Sequence, residues 1–290
     1  MEAVLAALVS TDPMRAIELA QDSLTGAAFD RTLLAALQTL TRTDPKAAAN
    51  FISKLAPGEV QTQASYAVAR ALAAETPAGA MAWVRTLPAG ELQGQLLNNV
   101  LDLWAAKNPT AAGQYILQMT AGPEQDSAAA HLAGLLAANP SQAIAWAQSL
   151  GSSTARSAAM VNLASAWAQR DPAAAAQWAG SIEPAPVRLG ALNGALSYWL
   201  LHDSAAARNY IFGLTGETQV SAAANLAPGL AQRDPVGTMA WAQTLPTAEA
   251  REATTIAAYA RWLKNSPVEA RAWLAKANLP AETKARLAGP

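Results

Sequence analysis

The chain has 290 residues, of which 52% are hydrophobic and only 14% are charged. Its 20 basic and 21 acidic residues give a net charge of −1 and are scattered along the sequence. This balance disfavours the broad surface of one sign that nucleic acid or an anionic membrane attracts. The chain has no cysteine, which excludes disulfides and thiolate metal sites.

The amino-terminal stretch MEAVLAALVSTDP lacks the basic region and the cleavage site of a signal peptide. The most apolar region, 128–147, is interrupted by His131, Asn139, Pro140 and Gln142. A membrane-spanning helix needs about 20 consecutive apolar residues without such interruptions. The sequence therefore predicts a soluble chain without membrane insertion and leaves its compartment open.

A strict internal repeat is the strongest signal in the sequence. Successive anchor positions are 31 or 32 residues apart, and eight of the nine carry proline. Periods of about 20–50 residues are typical of solenoids, propellers and arrays. The anchors are Pro13, Pro45, Pro77, Pro109, Pro140, Pro172, Ser204, Pro235 and Pro267.

The residue before each anchor predicts the start of a helix. All nine are Asp, Asn, Ser or Thr, whose side-chain oxygen can accept a hydrogen bond from a free N–H of the first turn. Proline fits the next position, where the N–H has no partner within the helix. We therefore expect a short helix of about 10–12 residues after every anchor.

Each short helix carries an apolar stripe. Three residues after the anchor stands alanine in every repeat but one, which has Thr238. Six residues after it stands an aromatic residue in every repeat but the first, which has Leu19, and the seventh residue is always apolar. These positions share one face of a helix with 3.6 residues per turn. We expect the alanine to allow close helix approach and the aromatic residue to fill the space between helices.

A second helix of about 16 residues is predicted to precede the next anchor. Period-two runs of β-branched residues, which are typical of strands, are missing. The fold prediction is therefore an all-α solenoid of about nine helical hairpins of 31–32 residues, forming a single domain over 1–290. Five residues before the anchors the second helix carries Leu8, Leu40, Leu72, Trp104, Leu135, Trp167, Trp199, Leu230 and Trp262.

The hairpin unit resembles the tetratricopeptide repeat, in which an aromatic residue follows a proline by six positions. The pairs Pro140–Trp146 and Pro172–Trp178 have this spacing. The period of 32 residues and the short first helix depart from the 34-residue unit of that family, and its later glycine and tyrosine have no regular counterpart. The resemblance covers the whole chain. It implies a right-handed superhelix whose first helices line a concave groove, and a scaffold that binds protein or peptide.

The sequence predicts no catalytic, cofactor or metal site. A glycine-rich phosphate loop and a cluster with metal-ligand spacing are both missing. His131 stands where other repeats have valine or leucine, so we expect a hydrogen-bonded core histidine. His202 precedes Asp203 and Ser204, but the repeat makes Asp203 a helix cap and puts Ser204 in the place of proline. These three neighbours are therefore not expected to form a catalytic triad, whose members must converge in space.

The main functional hypothesis is a non-catalytic scaffold that binds an extended or helical protein segment. Positions five and eight after the anchor point away from the apolar stripe and are rich in amides and alanine. Amide side chains offer donors and acceptors that suit a peptide backbone. The candidate partner-binding residues are Asn50, Gln114, Gln148, Gln177, Asn209, Phe212 and Gln243.

Two other functions stay open. An enzyme would need carboxylates from different repeats to converge on the concave surface, and a solenoid that binds nucleic acid would need basic rows, which the scattered charges do not provide. The chain starts and stops within second helices that lack polar caps. We expect it to be a segment of a longer protein, the alternative being end-to-end pairing with another copy.

The seventh repeat is the irregular one. It has Ser204 instead of proline, Pro228 within its second helix, and Arg208 and Phe212 in a first helix that is otherwise small and neutral. Proline inside a helix removes one backbone hydrogen bond and costs about 3 kcal/mol unless the helix bends. A bend beside an exposed aromatic residue is a hypothesis for a docking point.

Overall fold

The computed structural model describes residues 2–288. These residues form α-helices, one 3₁₀ turn and the loops between them, with no strand in the described range, which confirms the all-α prediction. They divide into two compact units between Leu135 and Leu136. Within residues 2–288 no helix combines the length and apolar character needed to cross a membrane.

Short and long helices alternate along the described chain. Each of the nine anchors is the first residue of a short helix, so the predicted helix starts are confirmed. The short helices have 8–11 residues, slightly fewer than expected. In chain order the helices are α1 (Glu2–Thr11), α2 (Pro13–Ser23), α3 (Gly26–Thr43), α4 (Pro45–Ile52), α5 (Glu59–Glu75), α6 (Pro77–Val84), α7 (Glu91–Lys107), α8 (Pro109–Leu117), α9 (Pro123–Leu135), α10 (Pro140–Ser149), α11 (Ser153–Ala168), α12 (Pro172–Gly180), α13 (Ala185–His202), α14 (Ser204–Gly213), α15 (Gly216–Arg233), α16 (Pro235–Thr244), α17 (Ala248–Asn265), α18 (Pro267–Lys276) and α19 (Ala281–Ala288).

A single residue joins the long helix to the short helix that follows it at seven of the nine junctions, the exceptions being those from α9 to α10 and from α11 to α12. The N–H of Asp44 donates to the carbonyl of Leu40 at 2.7 Å and closes α3. The carboxylate of the same residue accepts from the N–H of Ala47 at 2.9 Å and caps α4. Side-chain caps of this kind occur at six of the nine predicted positions: Asp12, Asp44, Asn108, Asp171, Asp203 and Asp234.

At the other three positions the predicted side-chain cap was wrong. Thr76, Asn139 and Ser266 precede their helices without a side-chain hydrogen bond. Their backbone carbonyls still accept the first helical bond, and proline presets the backbone of the next residue. These helix starts therefore depend on backbone geometry alone.

Replacing Asp171 by alanine is expected to lower the free energy of unfolding by about 1 kcal/mol, because the N–H of Ala174 loses its acceptor at 3.0 Å. Urea unfolding followed by far-ultraviolet circular dichroism measures this loss. The matched control is Ser266→Ala, which removes no capping bond and should change stability by a few tenths of a kcal/mol at most. Equal effects of the two substitutions would contradict the capping role.

The shorter 31-residue step between Pro109 and Pro140 has a local cause. Helix α9 ends at Leu135 and is followed by a 3₁₀ turn, Leu136–Ala138. The N–H of Asn139 therefore donates to a carbonyl three residues back, that of Leu136 at 2.9 Å, where other caps reach four residues back. The tighter turn accommodates the missing residue and leaves the next helix start in place.

The packing is the same within each unit. Consecutive long helices contact each other, and each short helix contacts the long helices before and after it, for α1–α9 in the first unit and for α11–α19 in the second. The residues three positions after the anchors are fully buried, from Ala16 to Ala270, as the sequence predicted. Most residues four positions after the anchors are buried as well, which was not predicted; Ile17, Met81 and Met239 are examples.

Pro228 lies inside α15, and the helix continues through it from Gly216 to Arg233. Its nitrogen cannot donate to the carbonyl of Ala224, so one backbone bond of the helix is missing. Contacts with α13, α14, α16 and α17 surround this helix and support it without that bond.

Candidate functional site

The residues five positions after the anchors occupy the same place on each short helix, and we call this set the outward row. All nine side chains of this row are exposed, as helical periodicity predicted. Four candidate residues belong to it: Asn50 on α4, Gln114 on α8, Gln177 on α12 and Asn209 on α14. Within residues 2–288 these four amides form no hydrogen bond with the protein, so their donors and acceptors face solvent.

The other three candidates lie eight positions after their anchors. Gln148 on α10, Phe212 on α14 and Gln243 on α16 are exposed, and Phe212 keeps 49% of its surface accessible. The amide of Gln243 donates to the hydroxyl of Thr255 on α17 at 3.0 Å, so part of its bonding capacity is used within the protein. In the described range no hydrogen bond joins any two of the seven candidates, which lie on six helices.

Position eight does not point away from the protein in every repeat. Ser53 accepts from the indole Nε1 of Trp83 at 3.1 Å, and Arg85 Nη1 donates to the hydroxyl of Tyr115 at 2.5 Å. Both residues are only partly exposed. The prediction of an outward position eight was wrong there, because the aromatic residue of the next short helix packs against it.

Three of the aromatic residues six positions after the anchors, Trp83, Tyr115 and Tyr210, form hydrogen bonds with the preceding short helix. Trp83 Nε1 donates to the carbonyl of Ala49 at 3.1 Å, and Tyr210 donates to the carbonyl of Ala176 at 2.8 Å. Burial raises the pKa of the Tyr210 phenol, which keeps it protonated as a donor. Among all the aromatic residues at this position Trp241 is buried and the others are half-buried, so the prediction that they fill the core is correct only in part.

A second set of polar residues holds the helices together and was missed from the sequence. Gln219 is 1% exposed. Its Nε2 donates to the backbone carbonyls of Ile211, Phe212 and Leu214 at 3.3, 2.9 and 2.6 Å, at the C-terminal end of α14. Such carbonyls have no partner within their own helix. Side chains at matching positions near the start of the long helices make the same contact: Gln61, Gln93, Gln125, Arg156, Arg188, Gln219 and Arg251.

The signal for this set was present as a constant spacing. The residue stands sixteen positions after the anchor, or fifteen after Ser204, and is glutamine in four repeats and arginine in three. The two residue types share little except side-chain N–H donors. The first and last repeats have Phe29 and Thr283 there, which further hides the pattern.

Arg208 of α14 packs on Trp241 of α16. Its guanidinium carbon lies 5.6 Å from the centre of the indole ring, a cation–π geometry. Trp241 is 8% exposed. The Nε of Arg208 is buried without a hydrogen-bond partner, and no carboxylate of residues 2–288 forms an ion pair with this arginine.

The two histidines lie in different surroundings. His131 Nε2 lies 2.8 Å from a carboxylate oxygen of Asp102, which confirms a hydrogen bond, but its side chain is 28% exposed, so it is not a core residue. His202 is exposed and stacks on Tyr198 with ring centres 4.1 Å apart. The carboxylate of Asp203 caps α14, as predicted from the repeat.

Clefts lie mainly between long helices. One of about 860 Å³ lies between α3 and α5 and includes Arg42 and Arg70, and one of about 490 Å³ lies between α13 and α15 and includes Leu201 and Leu230. Of the candidates, Gln243 borders a smaller cleft of about 210 Å³. Residues 2–288 contain no group of three or more histidine or carboxylate side chains placed to hold a metal ion.

Comparisons of the chain with protein-family models, with curated proteins and with solved structures give no significant match. The resemblance to the tetratricopeptide repeat therefore depends on the spacing of the sequence repeat alone.

Proposed function

We propose that the chain is a non-catalytic scaffold that binds a protein or peptide segment along the exposed face of its short helices. The observation that carries this proposal is the outward row, whose side chains are exposed at every repeat. In architecture we propose a right-handed α-solenoid of about nine hairpins, in which the short helices line the groove.

The shortage of charge on four of the five short helices of the second unit supports a binding surface. The helices α10, α12, α14 and α16 carry one charged residue among them, Arg208. Exposed helix faces in soluble proteins usually carry many charges, since about a quarter of all residues are charged. Cores of protein interfaces are depleted in charge and enriched in aromatic residues, and Phe212 is an exposed aromatic residue on this surface.

The chemistry of the outward row suits a peptide backbone. Gln177 and Asn209 each offer an amide donor and an amide acceptor, as a peptide bond does. Ala145 and Ala240 of the same row are exposed and leave room for partner side chains. Amides and alanines make a surface that recognises backbone through hydrogen bonds and side chains through shape.

Hydrogen bonds between helices hold the short helices that carry the outward row. Tyr210 holds α14 to α12, and Gln219 holds the end of α14 to α15. A surface fixed before binding loses less conformational entropy when the partner arrives. This favours recognition of a flexible segment, which supplies the conformational adjustment.

Combined replacement of Gln148, Gln177 and Asn209 by alanine is expected to weaken peptide binding about tenfold, because three amide contacts are lost. The probes are peptides selected from a random dodecapeptide phage library against the full chain. Affinities are measured by fluorescence anisotropy with synthetic copies of the enriched peptides. The melting temperature should stay unchanged, since all three side chains are exposed.

The control replaces Asn162, Gln169 and Asn225 by alanine, three exposed amides on or next to long helices of the same unit. This variant should bind within twofold of the original chain. Equal weakening by both sets would remove the special role of the short helices. Failure of the library to yield any enriched peptide would reject the scaffold function.

A further inference from the structure

Arg208 is one of two arginines at its place in the repeat, the other being Arg271 on α18. The position four residues after the anchor is apolar or small in seven of the nine repeats: Ile17, Ala49, Met81, Gly113, Ile144, Ala176 and Met239. An arginine there brings a permanent charge to a position that packs against the next short helix. Its guanidinium lies over the ring of Trp241, and it is the one charged residue of α10, α12, α14 and α16.

Arg208 lacks the partners that Arg188, another arginine of the second unit, has. Arg188 Nη1 donates to a carboxylate oxygen of Glu183 at 2.6 Å and to the carbonyl of Ile182 at 3.1 Å. Arg208 forms no ion pair within residues 2–288, and its Nε is buried without a partner, as is the Nε of Arg188. A guanidinium that lies over an aromatic ring and has no counter-ion is suited to bind a carboxylate through two parallel hydrogen bonds.

Phe212 completes the arrangement. It follows Arg208 by four residues on α14, so the two side chains are neighbours on one face, about 5–6 Å apart at Cβ. In an extended peptide, residues i and i+2 point to the same side and lie about 6.6 Å apart. An acidic side chain and an apolar side chain with one residue between them therefore match the pair.

Given the binding role proposed above for the same surface, we propose that Arg208 and Phe212 anchor an extended partner segment. In this segment a carboxylate side chain is separated by one residue from an apolar side chain. The carboxylate pairs with the guanidinium on Trp241, and the apolar side chain packs on the exposed ring of Phe212. The outward amides Gln177 and Asn209 contact the backbone of the same segment. Charge complementarity selects an acidic partner, since this surface presents one uncompensated positive charge.

Two fluorescein-labelled dodecapeptide pools test this proposal by anisotropy. Both have leucine at the fourth and eighth positions and a mixture of Ala, Ser, Gly, Asn and Gln elsewhere. One pool has Asp at the sixth position and the other has Asn. The original chain is expected to bind the Asp pool about tenfold more tightly than the Asn pool, and added salt should reduce this preference.

Arg208→Met should abolish the preference for the Asp pool over the Asn pool. Both pools should then bind this variant with the affinity that the Asn pool has for the original chain. Methionine occupies the same position at Met81 and Met239, so this variant is expected to keep the packing on Trp241 and to fold. Circular dichroism and thermal unfolding confirm the folded state. Phe212→Ala should weaken binding of both pools.

The outcomes separate this proposal from the scaffold function. Combined replacement of Gln148, Gln177 and Asn209 should weaken both pools equally and leave the ratio between them unchanged. Equal binding of the two pools to the original chain, or a preference that survives in Arg208→Met, overturns the acidic anchor and leaves the scaffold in place. If library-selected peptides bind and neither pool does, the acidic anchor is also overturned and the scaffold function is left in place.

Discussion

Replacing Gln219 by leucine is expected to lower the free energy of unfolding by about 3 kcal/mol. The amide of this residue donates hydrogen bonds to three carbonyls at the C-terminal end of α14. Because the side chain is 1% exposed, water cannot take its place without opening the packing. Leucine has a similar size but no donor, so the carbonyls would stay buried without a partner. Urea unfolding monitored by circular dichroism measures the loss.

Two further substitutions identify the cause. Gln219→Arg should lie within about 1 kcal/mol of the original stability, because Arg156, Arg188 and Arg251 make the same contact in other repeats. Gln177→Leu makes the same chemical change at an exposed position and should alter stability by no more than about 0.5 kcal/mol. If Gln219→Leu unfolds at the same urea concentration as the original chain, the carbonyls do not depend on this side chain.

Replacing Ala175 by leucine is expected to cost about 3 kcal/mol, at the upper end of the range for an overpacked core. Ala175 is 0% exposed on α12, which contacts α11 and α13. Three additional carbon atoms require these helices to separate or side chains to leave their preferred rotamers. Thermal or urea unfolding gives the change.

Ala173→Leu is the matched control, two residues earlier on the same helix. Ala173 is exposed, and the corresponding residues of later repeats, Val236 and Val268, are exposed apolar residues at 57% and 79%. This control should change stability by no more than about 0.5 kcal/mol. An equal loss in both variants would point to a general effect of larger side chains on the helix, and not to close packing at Ala175.

The starts of the short helices could be predicted because their signals are local. A capping residue followed by proline specifies the beginning of a helix within two residues, and all nine helices begin at the predicted anchors. The buried alanine stripe followed from helical periodicity for the same reason. Side-chain capping itself failed at Thr76, Asn139 and Ser266, since the residue type permits that bond without requiring it.

The contacts that were missed join residues about 30 positions apart or residues of unlike type. Ser53 and Trp83 meet only because two short helices pack side by side, and no periodicity within one helix shows this. Gln219 and Arg251 both donate to a backbone carbonyl just after the preceding short helix, but with different side chains. A search for one residue type therefore overlooks them. The outward row was predicted correctly in orientation, while its role as a binding surface stays a prediction.

The shared cap residue has a consequence for how the chain opens. Asp44 both closes α3 and starts α4, so fraying at the end of the long helix removes the first support of the short one. The other joint, from α4 to α5, is a loop, 53–58, across which Gln61 donates to the carbonyl of Leu55. We therefore expect fraying at the end of a long helix to spread into the short helix after it, until it meets the side-chain contact that holds this short helix to the next long helix.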